Sequence, residues 1–408
     1  MTPSIRQNTT LLIIAGALVI SLTMGIRSTF GLFQSPINAD LGFTRASFGF
    51  AMAMQQLLWG LFQPFCGMVA DRYGSGRVLV VGTLAYMGGL FVMSGSSDII
   101  SFNIGAGWLI GFGLSATSFS VVLGALGRMV APEKQSVAFG IATAGGSVGQ
   151  FIMAPIGQSL IQNQDWSGAL ASLALIASLM ALSGFFLQSK AGDEVRLGGA
   201  ASETANQTIR QAMSEAWNDK SYRFLTLGFF VCGFQVAFIT IHLPAYLQDL
   251  GMDAGVGANS LALIGFFNII GTYSCGVLGA KFPKRYLLSL LYFFRAIVVM
   301  VFLIAPKTDI TVYLFASSMG LLWLGTVPLT SGVVAQIFGP RFMSTLFGFV
   351  FFSHQVGSFL GVWIGGYLFD QTGSYDGIWY GSVVLGVAAA LLHLPIIEKP
   401  LQRSKAPA

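Results

Sequence analysis

The stretch GMVADRYGSGR, residues 67–77, is a short charged interruption between two long apolar segments. Three of its side chains are charged, Asp71, Arg72 and Arg77, whereas only 9% of the whole chain is charged. A polar loop of this kind is the natural connection between two helices that cross a lipid bilayer, because charged groups are costly inside the hydrocarbon core. The stretch therefore directs attention to the apolar segments on either side of it.

The composition of the chain is that of an integral membrane protein. Of its 408 residues 54% are hydrophobic, and the mean hydropathy is +0.73. Soluble domains carry about 25% charged residues, so this chain lacks the polar side chains that a water-exposed surface needs. The 51 glycines agree with this, because small residues let transmembrane helices approach closely.

The apolar segments predict twelve transmembrane helices. A spanning helix needs about 20 predominantly apolar residues. The segments that meet this requirement are 10–35, 45–69, 78–97, 102–129, 136–161, 167–188, 223–247, 257–280, 286–305, 310–337, 342–369 and 376–396, numbered 1–12 in chain order. The predicted fold is an all-α integral membrane protein with two six-helix bundles, and an even number of crossings places both termini on one side.

The distribution of Lys and Arg predicts which side that is. The N-terminus, the C-terminus and every second loop hold 17 of the 21 Lys and Arg residues, and the opposite loops hold only Arg45 and Lys307. Cytoplasmic loops are enriched in these residues, so both termini are predicted to be cytoplasmic, with the protein in the cytoplasmic (inner) membrane. The net charge of +5 is explained by this asymmetry and does not indicate nucleic-acid binding.

A hydrophilic segment divides the chain. Residues 189–222 lie between predicted helices 6 and 7 and are interpreted as a cytoplasmic linker whose later part could form a short surface helix. The predicted units are an N-terminal bundle at 1–188, the linker, and a C-terminal bundle at 223–408.

The two halves are related by an internal repeat. The segment FGIATAGGSVGQFIMAPIG at 139–157 aligns with FGFVFFSHQVGSFLGVWIG at 347–365 with a shift of 208 residues. Gly67 aligns with Gly276 with a shift of 209. Two matches at nearly one offset indicate a duplication, and parallel six-helix repeats are typical of transporters with a central binding site.

Residues 67–77 resemble the signature of the major facilitator superfamily in the loop between helices 2 and 3. The matching positions are Gly67, Asp71, Arg72, Gly74 and Arg77. The resemblance implies a two-bundle transporter in which this loop belongs to a conformational switch. The alternative is a plain positively charged cytoplasmic loop. The second-half copy has Ala280 and Lys281 in place of the Asp-Arg pair.

Two further stretches resemble the monocarboxylate porter and oxalate–formate exchanger branch of that superfamily. They are STFGLFQSPINADLGFTRASFGFA at 28–51 and GFFNIIGTYSCG at 265–276. Mammalian-type monocarboxylate porters carry an acidic residue and an arginine four positions apart in helix 8, and Asn268 and Thr272 stand there in this chain. The usual substrate arginine of those relatives is therefore missing from its place.

An arginine, Arg27, lies inside the apolar run LTMGIRSTFGLF at 22–33. None of the sixteen carboxylates lies deep in a predicted helix, so Arg27 has no acidic partner at its depth. Arginine stays protonated, and a guanidinium binds a carboxylate through two parallel hydrogen bonds. We therefore expect Arg27 to receive an anionic substrate. The alternative is that it extends to the headgroups or binds backbone carbonyls.

Three other ionisable side chains lie at membrane depth: Arg295, His242 and His354. Arg295 lies in helix 9, which the resemblance places at the periphery, so its role is either structural pairing or substrate binding. Each histidine could either carry a proton or make a structural hydrogen bond. The predicted substrate-binding residues are Arg27, Thr117, His242, Asn268, Tyr273, Arg295, His354 and Gln355. The polar ones among them could equally be interhelical contacts.

The predicted function is secondary transport of a small organic anion, with a monocarboxylate favoured and protons a candidate coupling ion. A drug or metabolite exporter is the first alternative; Gln150 follows Gly149 where an exporter signature would have proline. A non-transporting membrane sensor is the second. The sequence offers no nucleophile–base pair, cofactor motif or metal-ligand spacing, and Cys66, Cys232 and Cys275 are interpreted as packing residues. The superfamily default is a monomer.

Overall fold

The computed structural model describes residues 8–188, 208–339 and 342–401, and within these ranges it leaves the side chains of Asp71, Pro132, Glu133, Ser136 and Ser344 undescribed. Within the described ranges all regular structure is helical. The spanning helices are α1 (Thr9–Leu41), α2 (Arg45–Tyr73), α3 (Ser75–Ser94), α4 (Ile99–Met129), α5 (132–164), α6 (166–186), α7 (Lys220–Asp249), α8 (Ala254–Lys281), α9 (Lys284–Ile304), α10 (Asp309–Phe338), α11 (Met343–Thr372) and α12 (Asp376–His393).

The prediction of twelve spanning helices is confirmed. In the described part of the chain, ten helices are long and apolar enough to cross a membrane. One of them, Val137–Phe186, contains both α5 and α6, which are separated by the non-helical backbone of Asp165. The more polar α2, with Gln55, Gln56 and Gln63, adds the twelfth crossing.

Local sequence explains where the helices begin and end. Short polar side chains accept hydrogen bonds from the free N–H groups of the first turns, and these caps are Asn8, Thr44, Asp98, Asp219, Asp253 and Thr308. Gly42 and Gly373 end α1 and α11 in the left-handed region, with φ of 67° and 70°.

Three helices are interrupted near their middle or end, which the apolar patterns did not predict. Helix α1 tightens into a 3₁₀ turn at Phe30–Phe33. Helix α4 breaks at Ser118, whose backbone is extended. Helix α10 breaks between Leu322 and Thr326, so Pro328 falls in the first turn of the following segment, where its missing N–H breaks no helical hydrogen bond.

The structure describes residues 208–222 of the predicted linker, and α7 begins within them, at Lys220. Ile209–Asn218 forms a short helix with a capping box at Thr208, and its buried residues are Ala212 and Ala216. Residues 189–207 lie outside the described residues.

Equivalent glycines build the core of each bundle. A Cβ on Gly149 of α5 would overlap the Ser21 carbonyl of α1, and a Cβ on Gly357 of α11 would overlap the Phe230 carbonyl of α7. Both pairs are related by the shifts of 208 and 209 found in the sequence. Because lipid supplies no hydrophobic driving force between helices, such close backbone approach is what holds the bundle together.

The two bundles meet at one end and separate at the other. At the end that carries Arg45, named here the Arg45 end, a Cβ on Gly31 would overlap the Thr240 carbonyl and one on Gly366 would overlap the Arg45 carbonyl. At the opposite end, named the Arg72 end, the space around Gly67, Gly140, Gly276 and Gly348 is open, with no described atom within 4 Å of an added Cβ. The structure is therefore closed at the Arg45 end and open toward the Arg72 end.

Candidate functional site

Arg27 lies in the last turn of the regular part of α1, where the bundles come together. Its side chain is partly exposed, and its Nε is buried without a hydrogen-bond partner. No carboxylate or carbonyl among the described residues pairs with the guanidinium. The guanidinium lies over the indole of Trp59, with Arg27 Cζ 5.1 Å from the ring centroid. Arg27 is thus a cation that retains unused donors.

The wall behind Arg27 is fixed by hydrogen bonds between helices. The Trp59 indole N–H donates to Ser118 Oγ at the break in α4, over 3.2 Å. The Tyr86 hydroxyl of α3 donates to the Thr23 carbonyl of α1, over 3.3 Å. These bonds hold the indole against the guanidinium, and the aromatic face offers a cation–π contact that does not use the N–H donors of Arg27.

The opposite wall belongs to α11 and α7. Phe351 packs edge-on to Trp59 across the bundle interface, with ring centroids 5.6 Å apart. It also stacks on His354, with centroids 5.6 Å apart and planes 5° apart. His354 lies 4.9 Å from Phe229 on its other side. An aromatic series therefore leads from Arg27 in the N-terminal bundle into the C-terminal bundle.

His354 and Gln355 hydrogen-bond each other within this series. The amide oxygen of Gln355 can only accept, so His354 Nδ1 donates to it over 3.0 Å. Gln355 packs against Gly60 of α2, where an added Cβ would overlap the glutamine side chain. Both residues therefore lie at the contact between the bundles, and their predicted substrate-binding role stays a prediction.

Arg295 is the second arginine at membrane depth, and its surroundings are the reverse of those of Arg27. It is fully buried, and its guanidinium donates to the Leu322 carbonyl over 2.9 and 2.6 Å, to the Trp323 carbonyl, and to Cys232 Sγ over 3.4 Å. The break in α10 frees these carbonyls, and Arg295 satisfies them. Structural pairing is therefore the better of its two interpretations.

His242 lies at the Arg45 end and is saturated with hydrogen bonds. The Val362 carbonyl can only accept, so His242 Nε2 carries the proton and donates over 2.8 Å. Nδ1 then accepts from the Gln34 amide over 3.2 Å and from the Tyr375 hydroxyl over 3.0 Å. This pattern fits a neutral imidazole that joins the two bundles, at a distance from the aromatic series around Arg27.

An ion pair and its neighbours clasp the same end. Arg45 donates to Asp249 over 2.6 Å and to the Tyr375 hydroxyl over 3.0 Å. The backbone N–H groups of Arg45 and Ala46 donate to Asp370. Burial raises the pKa of the Tyr375 hydroxyl, which keeps it neutral beside the cation. We name Arg45, Asp249, Asp370 and Tyr375 the clasp.

For the remaining predicted site residues, the hydrogen bonds of Asn268 and Thr117 are made with residues other than Arg27. Asn268 joins the bundles elsewhere, donating to Ser147 of α5 over 2.8 Å and accepting from Thr272. The Thr117 hydroxyl donates to the Gly113 carbonyl within α4. Tyr273 is 75% exposed and shares its helix face with the exposed side chains of Phe266, Ile270 and Val277. Phe266 of this face lies 5.6 Å from Phe151 of α5 between ring centroids, and Tyr273 itself is not packed within either bundle.

The signature loop lies at the Arg72 end. Gly74 has a φ of 99°, a conformation that favours glycine, and it separates α2 from α3. The Arg72 guanidinium lies over the Tyr73 ring, and Arg77 and Gly67 are at the open end. The side chain of Asp71 lies outside the described part, so the switch interpretation stays a prediction.

Sequence reasoning missed Trp59, Phe351 and the clasp. Aromatic residues are too frequent here, at 13% of the chain, for any single one to stand out. Arg45 was one of only two cations on its side, which was a usable signal. No group of three or more His, Cys, Asp or Glu in the described residues could hold a metal ion.

Comparisons with known proteins agree with this architecture. The family model of the Major Facilitator Superfamily matches residues 16–361. The chain is 24% identical to the uncharacterized MFS-type transporter YcxA of Bacillus subtilis, over 91% of each chain. It is 24% identical to monocarboxylate transporter 13 of Rattus norvegicus, over 86% of this chain and 80% of the relative. It is 20% identical to the oxalate:formate antiporter of Oxalobacter formigenes, over 98% and 96%.

A solved structure has the same fold. It is a bacterial homolog of the human lysosomal transporter Spinster, in an inward-facing and unoccupied conformation, with a TM-score of 0.79 and 14% identity over 96% of this chain and 97% of that one. The family match and these relatives show that the chain is a transporter and not an enzyme. The chain belongs to the Major Facilitator Superfamily.

Proposed function

We propose that this protein is a secondary transporter that moves a small organic monocarboxylate by alternating access, with the substrate carboxylate bound to Arg27. The observation that carries the proposal is the contrast in hydrogen bonding between the two arginines at membrane depth. Arg295 uses its donors on protein carbonyls and a thiol, whereas Arg27 has no acceptor among the residues that the structure describes.

An unpaired guanidinium between the bundles is costly unless an anion completes it. Burying one charge without a partner is strongly unfavourable, and arginine cannot escape by losing its proton. A carboxylate supplies both the charge and two acceptors in the geometry that guanidinium favours. The names of relatives, a monocarboxylate transporter and an oxalate:formate antiporter, support a carboxylate substrate.

The direction of opening follows from the distribution of positive charge. The Arg72 end carries most of the loop Lys and Arg residues, so we assign it to the cytoplasm, together with both termini, in the cytoplasmic membrane. The state described here then opens inward. In the outward-open state the clasp and the His242 bonds separate, and the helix ends around residues 67–77 approach the other bundle, where Asp71, Arg72 and Arg77 act as a switch.

The functional units in this proposal are the N-terminal bundle at 1–188, the linker at 189–222 and the C-terminal bundle at 223–408, in a monomer. Each bundle contributes one wall to the site, Trp59 from the first and Phe351 from the second. Rocking of one bundle against the other would change this contact, so the site and the gate are mechanically connected.

Counterflow in proteoliposomes tests the proposal without knowledge of the coupling ion. Vesicles are loaded with unlabelled monocarboxylates, dicarboxylates, amino acids or cationic drugs, and uptake of the labelled compound is followed. We expect monocarboxylates to exchange and Arg27→Gln to lose exchange by about 30- to 100-fold, the loss of a charge-assisted pair. Arg210→Gln, on the exposed face of the linker helix, is the matched control. Exchange of cations alone, or an unaffected Arg27→Gln, would contradict the proposal.

A further inference from the structure

The two walls of the Arg27 site differ in chemistry. This difference indicates what kind of tail, the part of the substrate beyond its carboxylate, the site would bind. On one side the Arg27 guanidinium, which has no hydrogen-bond partner among the described residues, lies over the Trp59 indole. On the other side the side chain that contacts this indole is Phe351, an apolar ring. The inference drawn from this rests on the proposed function.

The Arg27 site has enough positive charge to neutralise one carboxylate of a substrate, but not two. Arg295, the other arginine at membrane depth, is already bound to the Leu322 and Trp323 carbonyls. Thr272 stands where the resemblance to mammalian-type monocarboxylate porters would place an arginine, and its hydroxyl donates to Asn268. A second carboxylate on the substrate would therefore meet no free cation among the described residues of the site, at a high desolvation cost.

The polar groups next to the aromatic wall are also largely occupied. His354 Nδ1 donates to Gln355, and the imidazole stacks between Phe351 and Phe229. Gln355 Nε2 is buried without a partner, but its side chain packs on Gly60 in the contact between α2 and α11. The surface next to Arg27 is thus made of ring faces and edges, from Trp59 through Phe351 to His354.

We propose that the substrate is a monocarboxylate with an aromatic or similarly broad apolar tail, whose carboxylate binds Arg27 and whose tail packs against Trp59 and Phe351. Aromatic rings favour edge-to-face and offset-stacked contacts at centroid separations of about 4.5–7 Å, and the pairs already present in this series fall within that range. Short hydrophilic acids would leave this surface without a contact, and dicarboxylates would bury an unpaired charge.

The test compares tails at a constant headgroup. Proteoliposomes take up labelled phenylacetate against internal phenylacetate, and external acetate, lactate, cyclohexanecarboxylate, oxalate or terephthalate competes. We expect phenylacetate to have a half-saturation concentration at least tenfold below that of acetate. Oxalate and terephthalate should compete poorly, because each carries a second carboxylate.

Variants of Phe351 test the wall itself. Phe351→Leu should raise the half-saturation concentration for phenylacetate about three- to tenfold and leave that for acetate within twofold. Phe351→Tyr keeps the ring and should retain most of the affinity. Phe349→Leu, the same change on the exposed face of the same helix, is the control.

The outcomes separate this inference from the function on which it rests. If acetate, lactate or oxalate exchanges in an Arg27-dependent way and phenylacetate does not, the tail proposal is overturned and the carboxylate function stands. Equal loss for acetate and phenylacetate in Phe351→Leu also overturns the tail proposal. If no carboxylate exchanges at all, both proposals fall together.

Discussion

The two bundles solve the same packing problem and then use one equivalent position in different ways. Tyr86 of α3 and Arg295 of α9 are related by the shift of 209 residues, as are Thr23 of α1 and Cys232 of α7. Tyr86 donates to the Thr23 carbonyl, and Arg295 donates to the Cys232 sulfur. A duplicated scaffold therefore preserves which residues touch, while the chemistry at the contact has diverged.

The consequence is that the two arginines at membrane depth have opposite roles. Arg295 occupies a scaffold position and repairs the break in α10. Arg27 is in the other bundle, one turn beyond Thr23. At the break in α4, the helix equivalent to α10, Thr23 Oγ1 donates to the Thr117 carbonyl and the Trp59 indole donates to Ser118 Oγ. Arg27 makes no hydrogen bond at that break. Depth in the membrane does not distinguish these roles, but hydrogen-bond partners do.

The largest expected effect is a difference in thermal stability between a variant of Arg295 and a variant of Arg27. Arg295→Met leaves the Leu322 and Trp323 carbonyls buried without donors, at about 1–3 kcal/mol for each. We expect low expression and a clearly lowered melting temperature in detergent. Arg27→Met removes no protein hydrogen bond and should melt within about 2 °C of the unmodified protein. Thermal denaturation of both variants checks this, and equal losses would break the comparison.

The next effect tests whether the bundles are packed equivalently. Gly149→Ala and Gly357→Ala each force a methyl group into a carbonyl of the neighbouring helix, at about 1–3 kcal/mol. We expect similar losses of melting temperature from the two changes. Gly140→Ala and Gly348→Ala, on the same two helices where space is open, should be neutral. A large loss in only one bundle would show that the repeat no longer packs symmetrically.

The smallest effect concerns the clasp that joins the bundles at the Arg45 end. Arg45→Gln removes the ion pair with Asp249, a partly exposed pair with side chains 14% and 33% accessible, which is worth about 1 kcal/mol. We expect a roughly fivefold shift toward the state open at that end. Labelling of an introduced Ser35→Cys thiol, in the groove of about 540 Å³ beside the clasp, would measure it. Unchanged labelling would show that His242 and helix packing hold the end closed without Arg45.

Much of the fold could be predicted from residues 67–77 and the apolar segments around them. Spanning helices need about 20 apolar residues, and the repeat shift fixed which helices correspond. The breaks in α4 and α10 could not be predicted in this way, because an apolar run looks the same whether its backbone is continuous or broken. Pro328 gave a hint, but it follows the break and does not cause a kink within a helix.

The candidate site was predicted only in part. Arg27, His354 and Gln355 stood out as polar residues within apolar runs, and they lie at the bundle interface. Tyr273 stood out for the same reason, but its side chain is 75% exposed and is not packed within a bundle. A helix that is apolar all round carries no periodic signal that tells an inner face from a membrane-facing one.

What the sequence by itself determined is the membrane class, the number of crossings, the duplication and the presence of two arginines at membrane depth, because these depend on composition and linear pattern. What only the tertiary structure decided is which arginine is free. Arg27 and Arg295 are equally charged and equally conspicuous in the sequence. The difference between them is the pair of carbonyls at Leu322 and Trp323, released by a helix break and turned toward Arg295 by packing between helices.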